Sequence, residues 1–209
     1  MVTFLNVDIY NDDLLFEEAF SGLSEYRRKK IRSYRFRKDQ NLSLGVGVLL
    51  DRGLRDYGLS EAEMEYGSVE NGKPVFLNAP EIFFNVSHSG HMAMAAFSNV
   101  PVGCDIEIME KADLRVADRF FTENECRLIR EAPSGPDEMF FRLWTLKESF
   151  MKVTGYGMKL PLSEFEMKLH DDGTFSVIQS VDHGFYRFTE YDHIPGYRCA
   201  FCLKEAHSL

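Results

Sequence analysis

The chain has 209 residues, 44% of them hydrophobic, and a formal net charge of -9. That length and apolar content suffice to bury a real core, as one large domain or two small lobes, and exclude a disordered chain. The acidic balance excludes a general binder of nucleic acid or anionic membrane, so any anionic ligand must be met by a local basic patch.

Phe4 to Tyr10 reads as a short strand and Asp12 to Phe20 as an acidic helix. The charge then reverses: Arg27, Arg28, Lys29, Lys30, Arg32, Arg35, Arg37 and Lys38 form a basic block interleaved with Tyr26, Ile31, Tyr34 and Phe36. Such a block is either a solvated helix face or a phosphate clamp. From Asp39 to Tyr57, apolar residues at three- and four-residue spacing predict a long amphipathic helix stopped at Gly58. Gly45-Val46-Gly47 inside it is no nucleotide fingerprint, because Leu50 stands where the third glycine belongs. Ser60-x-x-Glu63 has capping-box spacing, and Asn71-Gly72-Lys73-Pro74 is a turn whose lysine is expected at the solvent-facing tip.

Ile82 to Val86 predicts a buried strand running into a loop, Ser87-His88-Ser89-Gly90, whose hydroxyls, imidazole and backbone N–H groups suit an oxyanion or phosphate. Met92 to Phe97 is the next strand, followed by a turn and then Val102-Gly103-Cys104-Asp105-Ile106-Glu107. Alternation along that strand points Asp105 and Glu107 the same way and sends Cys104 and Ile106 into apolar packing. Two carboxylates in one volume repel unless a cation intervenes, and a hard divalent ion, magnesium first, is the natural partner; an isolated Asp-x-Glu is more often a solvated edge strand. Removing either carboxylate would relieve repulsion, so stability is expected to hold.

Thr122-x-x-Glu125 is a second capping box. Asp137 is the expected cap of a helix ending at Gly155, along which Trp144, Glu148 and Lys152 form one stripe. Glu148 and Lys152 are either a helix-stabilising pair or groups projecting into a site, with the aromatic face packing the helix on the sheet. Four strands end the chain, near Phe165, Phe175, Tyr186 and Tyr197. Cys104, Cys126, Cys199 and Cys202 follow no disulfide or zinc pattern and read as reduced packing residues, with Cys199 and Cys202 on opposite strand faces. No apolar stretch approaches bilayer length and no signal sequence is visible, so a soluble cytoplasmic protein without membrane or nucleic-acid partners is expected.

Three stretches, Phe84-Asn85-Val86-Ser87-His88-Ser89-Gly90, Val102 to Glu107, and Trp144-Thr145-Leu146-Lys147-Glu148-Ser149-Phe150-Met151-Lys152, closely resemble the signature set of the 4′-phosphopantetheinyl transferases of the larger, single-chain Sfp type. With Asn71-Gly72-Lys73-Pro74 and the basic block, the resemblance covers roughly residues 25 to 165. It implies an α/β (α+β) fold of two similar lobes related by pseudo-twofold symmetry, each a small antiparallel sheet on a long helix. The lobes would span 1–102, with the coenzyme contacts, and 103–209, with the metal site and carrier-facing segment, in a monomer. It implies transfer of 4′-phosphopantetheine from coenzyme A to a serine hydroxyl of an apo acyl or peptidyl carrier protein, with magnesium. Asp105, Glu107 and Glu148 would hold the metal, Lys152 would touch the pyrophosphate, and Glu148 would take the serine proton directly or through water. Arg27, Lys30, Ser87 and His88 would bind coenzyme phosphate, with Lys73 and Pro74 beside the nucleotide. The segment from Lys111 to Phe121 mixes cations with apolar residues and is the expected carrier surface, or else an ordinary core-packed helix. A magnesium-dependent phosphohydrolase or nuclease, and a non-catalytic carrier-binding module, are the rival readings.

Overall fold

The computed structural model describes residues 1–69 and 71–205, so the end of the expected 103–209 lobe lies outside the described residues. In chain order the elements are β1 (Val2–Asn6), α1 (Asp13–Ser21), α2 (Glu25–Ser33), α3 (Arg37–Arg55), β2 (Tyr66–Ser68), β3 (Pro74–Phe76), β4 (Phe83–Ser89), β5 (Met92–Ser98) and β6 (Val102–Ile108). There follow α4 (Leu114–Phe120), α5 (Glu123–Glu131), α6 (Pro136–Thr154), β7 (Phe165–Leu169), β8 (Phe175–Gln179), β9 (Phe185–Tyr191) and β10 (Tyr197–Glu205). The family-derived expectation of two α/β lobes holds: the antiparallel sheets β1-β5-β4 and β6-β10-β9 each carry one 19-residue helix, α3 and α6.

Strand alternation sorts the side chains into three packed layers. Ala93, Ala95 and Phe97 of β5 pack with α3, whereas Met94 and Ala96 face the other sheet. Ala200 and Cys202 of β10 lie in the core around α6, while Cys199 and Phe201 join Cys104 and Ile106 of β6 between the sheets. Cys199 and Cys202 therefore do part to opposite faces, and all four cysteines are free and buried.

The sheets are joined by side chains at their adjacent edges. Asn85, Ser87 and Ser89, alternate residues of β4, reach β6: Asn85 Oδ1 accepts from Cys104 N at 2.9 Å, Ser87 Oγ donates to Asp105 Oδ1 at 2.8 Å, and Ser89 Oγ donates to Glu107 Oε2 at 2.6 Å while accepting from Ile108 N at 3.2 Å.

Several local expectations are corrected. The first strand stops at Asn6, whose side chain accepts from Asp8 N and starts a 3-10 turn in place of further strand. The stretch Ser87-His88-Ser89 is strand, not loop, because β4 pairs with β5 as far as Ser89 opposite Met92. Asp137 does not cap α6: that helix begins after Gly135 with Pro136 in its first turn, where a missing N–H costs nothing, and Asp137 accepts from Ala112 N instead. The capping boxes at Ser60 and Thr122 and the left-handed stop at Gly155 are present.

Candidate active site

Helix α6 reaches the carboxylates because β6 carries a glycine where the two touch. A Cβ on Gly103 would lie 2.1 Å from Ser149 O and 2.5 Å from Val153 N, so any side chain would push the helix away. At this distance Lys152 Nζ meets Asp105 Oδ1 at 2.6 Å and Ser87 Oγ at 3.0 Å. The other oxygen of Asp105, Oδ2, is buried without a hydrogen-bond partner among the described residues. Glu107 and Glu148 are both held above the ordinary carboxylate range, first by burial and then by the negative charge of Asp105. Burial pulls Lys152 down, but Asp105, Cys104 and Glu148 outweigh it and keep this lysine firmly charged.

On the N-terminal side of Lys152 lies a cavity of about 280 Å³ lined by Arg27 and Lys30 of α2, Ser43 and Val46 of α3, Tyr34, Val86, Ser87 and His88 of β4, and Lys152 itself. Among the described residues, no carboxylate lines it. Arg27 reaches this place because α3 offers Gly47, where a Cβ would stand 3.0 Å from Arg27 Cγ. Lys30 is lowered by burial and by Arg27; His88 is lowered by desolvation, then by Lys152 and Lys30. Lys30 and His88, depressed by burial and then by neighbouring cations, would both be relieved by an anion in the cavity.

A second cavity, about 260 Å³, lies across Val86 and Lys152 and is bounded by residues 71–74, Asn85, Met151, Gly155 and Gly157. Lys73 is not at a solvent-facing tip. Its Nζ donates to Val102 O at 2.8 Å, and burial lowers it to about 8.

The structure thus brings Asp105, Ser87 and Lys152 into contact, sets Glu107 and Glu148 in the same electrostatic neighbourhood, gathers Arg27, Lys30, Ser87 and His88 around one cavity, and places Lys73 and Pro74 at the next. The serine hydroxyls point at the β6 carboxylates, a consequence of their strand geometry. Trp144 stacks with Phe121 and Phe140 in the second core, so the Trp144–Glu148–Lys152 stripe divides into a packing end and a polar end. Among the described residues, no group of three or more His, Cys, Asp or Glu is gathered closely enough to hold a metal ion as it stands.

Sequence reasoning missed Ser43 at the site, assigned Ser89 a different partner, and missed Lys147 in the core around α6. Ser43, with a buried hydroxyl that has no partner, lines the basic cavity and gives no signal in a helix that is buried nearly all round. Ser89 fixes Glu107, as its period-two spacing from Asn85 and Ser87 would have indicated. Lys147, fully buried, bonds Glu125 at 2.6 and 2.9 Å and Phe165 O at 2.7 Å. Its signal was a lysine on the apolar stripe of Leu143 and Phe150, which called for a buried carboxylate elsewhere.

Comparison with known proteins covers both halves of this arrangement. Residues 12–99 match the family model "4′-phosphopantetheinyl transferase, N-terminal", and residues 101–206 match the "4′-phosphopantetheinyl transferase superfamily". The chain is 36% identical to the 4′-phosphopantetheinyl transferase ffp of Bacillus subtilis, over 93% of this chain and 89% of that protein. It is 34% identical to the 4′-phosphopantetheinyl transferase Sfp of Bacillus subtilis (strain 168), over 89% and 84%, and 32% identical to the gsp enzyme of Aneurinibacillus migulanus, over 97% and 86%. Among solved structures it is similar to the Thermotoga maritima holo-[acyl-carrier-protein] synthase, with 24% identity and a TM-score of 0.43 over 51% of this chain and 63% of that one. The chain belongs to the Sfp-type 4′-phosphopantetheinyl transferases and is an enzyme of that class.

Proposed function

We propose that the chain transfers 4′-phosphopantetheine from coenzyme A to a serine hydroxyl of an apo carrier protein, with the chemistry at the junction of the sheets. The observation that carries this reading is Lys152, which lines the basic cavity while bonded to Asp105. Arg27, Lys30, Ser87 and His88, with the unpartnered hydroxyl of Ser43, bind coenzyme phosphate. Lys73 and Pro74 border the nucleotide in the second cavity. Lys152 neutralises charge on the pyrophosphate as its bond breaks, a contribution of position and electrostatics. The serine oxygen attacks phosphorus, the nucleotide half leaves with the bond's electron pair, and Glu148 takes the serine proton.

Asp105, Glu107 and Glu148 fit magnesium: all three offer hard oxygen ligands, Asp105 Oδ2 is buried without a partner, and the raised carboxyls mark a site short of positive charge. When bound, the ion supplies charge neutralisation at the phosphate oxygens. Residues 1–102 form the coenzyme-binding lobe and 103–209 the metal and carrier lobe of a monomer. A cytoplasmic setting is supported by four free cysteines, and among the described residues no helix is long and apolar enough to cross a membrane. The carrier docks on the segment from Lys111 to Phe121, where Phe120 is exposed under Arg119 and Phe121 is committed to the core.

The test is the intact mass of an apo carrier domain incubated with the protein, coenzyme A and magnesium. One added phosphopantetheine group is the expected result. Nucleic-acid cleavage, or carrier binding without a mass change, overturns the proposal.

A further inference from the structure

Arg27 and Lys30 sit on the same helix, and its N-terminus is tied down by a carboxylate that the reaction does not use. Glu61 is 0% exposed, a placement that is costly for a carboxylate unless its oxygens are satisfied. Its Oε2 accepts from Ser24 N at 2.6 Å; its Oε1 accepts from Ser24 Oγ at 2.8 Å and from Tyr66 Oη at 2.6 Å. The backbone N–H of Glu61 donates to Asp51 Oδ1 on α3 at 3.1 Å. One residue therefore pins the start of α2 to α3 and β2.

Ser24 passes this anchoring on, since its Oγ also accepts from Arg27 N at 3.1 Å. Arg27 is only 4% exposed, and its Nε has no hydrogen-bond partner, standing 3.7 Å from Glu61 Oε1. Its guanidinium lies 5.2 Å over the Tyr66 ring, and Tyr66 is stacked on Tyr26 at 4.5 Å. The carboxylate and the tyrosine thus confine the guanidinium, and Glu61 takes no hydrogen bond from it. A helix cap does not require this arrangement, because Ser24 already caps α2. The carboxylate adds direction, setting how α2 presents its cations to the cavity.

We propose that Glu61 is a positioning residue for coenzyme recognition, acting through Ser24 and Tyr66 to hold Arg27 and Lys30 at the basic cavity. The inference rests on the reading of that cavity as the coenzyme phosphate site.

The test is steady-state kinetics with coenzyme A and an apo carrier for wild type, Glu61→Ala, Glu61→Gln, Tyr66→Phe and Arg27→Met, and for Glu61→Ala and Tyr66→Phe each combined with Arg27→Met. Glu61→Ala should raise KM for coenzyme A about 5- to 20-fold, with kcat within about twofold and KM for the carrier unchanged. Glu61→Gln, which keeps an acceptor for Ser24 N, should recover most of the loss. Tyr66→Phe should raise KM about two- to fivefold, and neither effect should persist beyond about twofold in the Arg27→Met background. A merely structural role would shrink the active fraction, lowering kcat and leaving KM alone. If Glu61→Ala does not fold, Glu61→Gln and Tyr66→Phe carry the test: Tyr66→Phe must still raise KM, and only when Arg27 is present. An unmoved KM, or a rise equally large without Arg27, overturns the inference. Failure of the wild type to modify the carrier sinks the underlying reading instead.

Discussion

The two lobes share a plan and differ in the charge they bring to their junction. Each sets a 19-residue helix on a three-stranded antiparallel sheet, and each relies on glycine for close contact, Gly47 under Arg27 and Gly103 under α6. The first lobe then fills its side of the junction with Arg27, Lys30 and His88, where burial first and the neighbouring cations second hold Lys30 and His88 below their usual protonation. The second brings Asp105, Glu107 and Glu148, where burial first and the charge of Asp105 after it hold Glu107 and Glu148 above theirs. Lys152 is the exception, a cation of the acidic lobe in contact with both sides. The junction thus sets a largely cationic surface against an acidic one.

The comparison breaks most severely at the acids. Asp105→Ala and Glu107→Ala should each lower kcat by about 10²–10³-fold, measured as carrier modification at saturating coenzyme A. The two should separate in stability. Asp105 holds Lys152 and Ser87, so its removal strands a largely buried ammonium and should cost about 1–3 kcal/mol in urea unfolding. The expectation that losing this carboxylate would only relieve repulsion is overturned by that ion pair. Next comes Lys152→Ala, which belongs to both sides: it should lower kcat about 100-fold and also raise KM for coenzyme A, whereas a change in KM alone would confine the lysine to the binding half.

Smaller effects sharpen the contrast. Lys111→Glu and Arg115→Glu should raise KM for the carrier about fivefold and leave KM for coenzyme A unchanged, locating carrier recognition wholly in the second lobe. Glu107→Gln tests the excess of negative charge. Because the folded pKa of Glu107 is raised above 4.5, its contribution to stability is fully present below that value and is lost as pH rises through the folded pKa. Without divalent ions, the glutamine variant should therefore gain on wild type in Tm as the pH rises above 4.5. A gap constant with pH would place the effect in packing. The smallest signal comes from the cationic side. His88, lowered in the free protein, should take up a fraction of a proton when coenzyme A binds near pH 6.5, seen by calorimetry in buffers of different ionisation enthalpy and absent in His88→Gln.

Much of this was legible because both long helices and strand β6 follow plain periodicities. Leu42 to Leu54 marks the buried side of α3, and Cys104/Ile106 against Asp105/Glu107 marks the two faces of β6. Long-range pairing is what the sequence concealed. Ser87 and Ser89 look like loop residues beside Gly90, yet pairing with β5 draws them into strand and the β6 carboxylates give their hydroxyls partners. Lys73 looks like solvent decoration at a turn until Val102 O, 29 residues away, captures it. Lys147 and Glu125, 22 residues apart, satisfy one another at zero exposure, a pairing that no local pattern specifies. The same holds for Glu61, whose capping-box neighbours are visible while its link to Ser24 spans 37 residues.

The row Asn85, Ser87 and Ser89 has a consequence for proteostasis. β4 and β6 each end a three-stranded sheet, and an open sheet edge is a template on which other chains can add a strand. Here the β6 amides of Cys104 and Ile108 are occupied by an amide oxygen and a hydroxyl from β4, so part of this edge is spent without a backbone ladder. The side chains that bond the β6 carboxylates and amides thus also cover part of an edge on which a foreign strand could add. An apolar substitution at Asn85 would accordingly surface first as inclusion bodies during expression, before any kinetic defect could be measured.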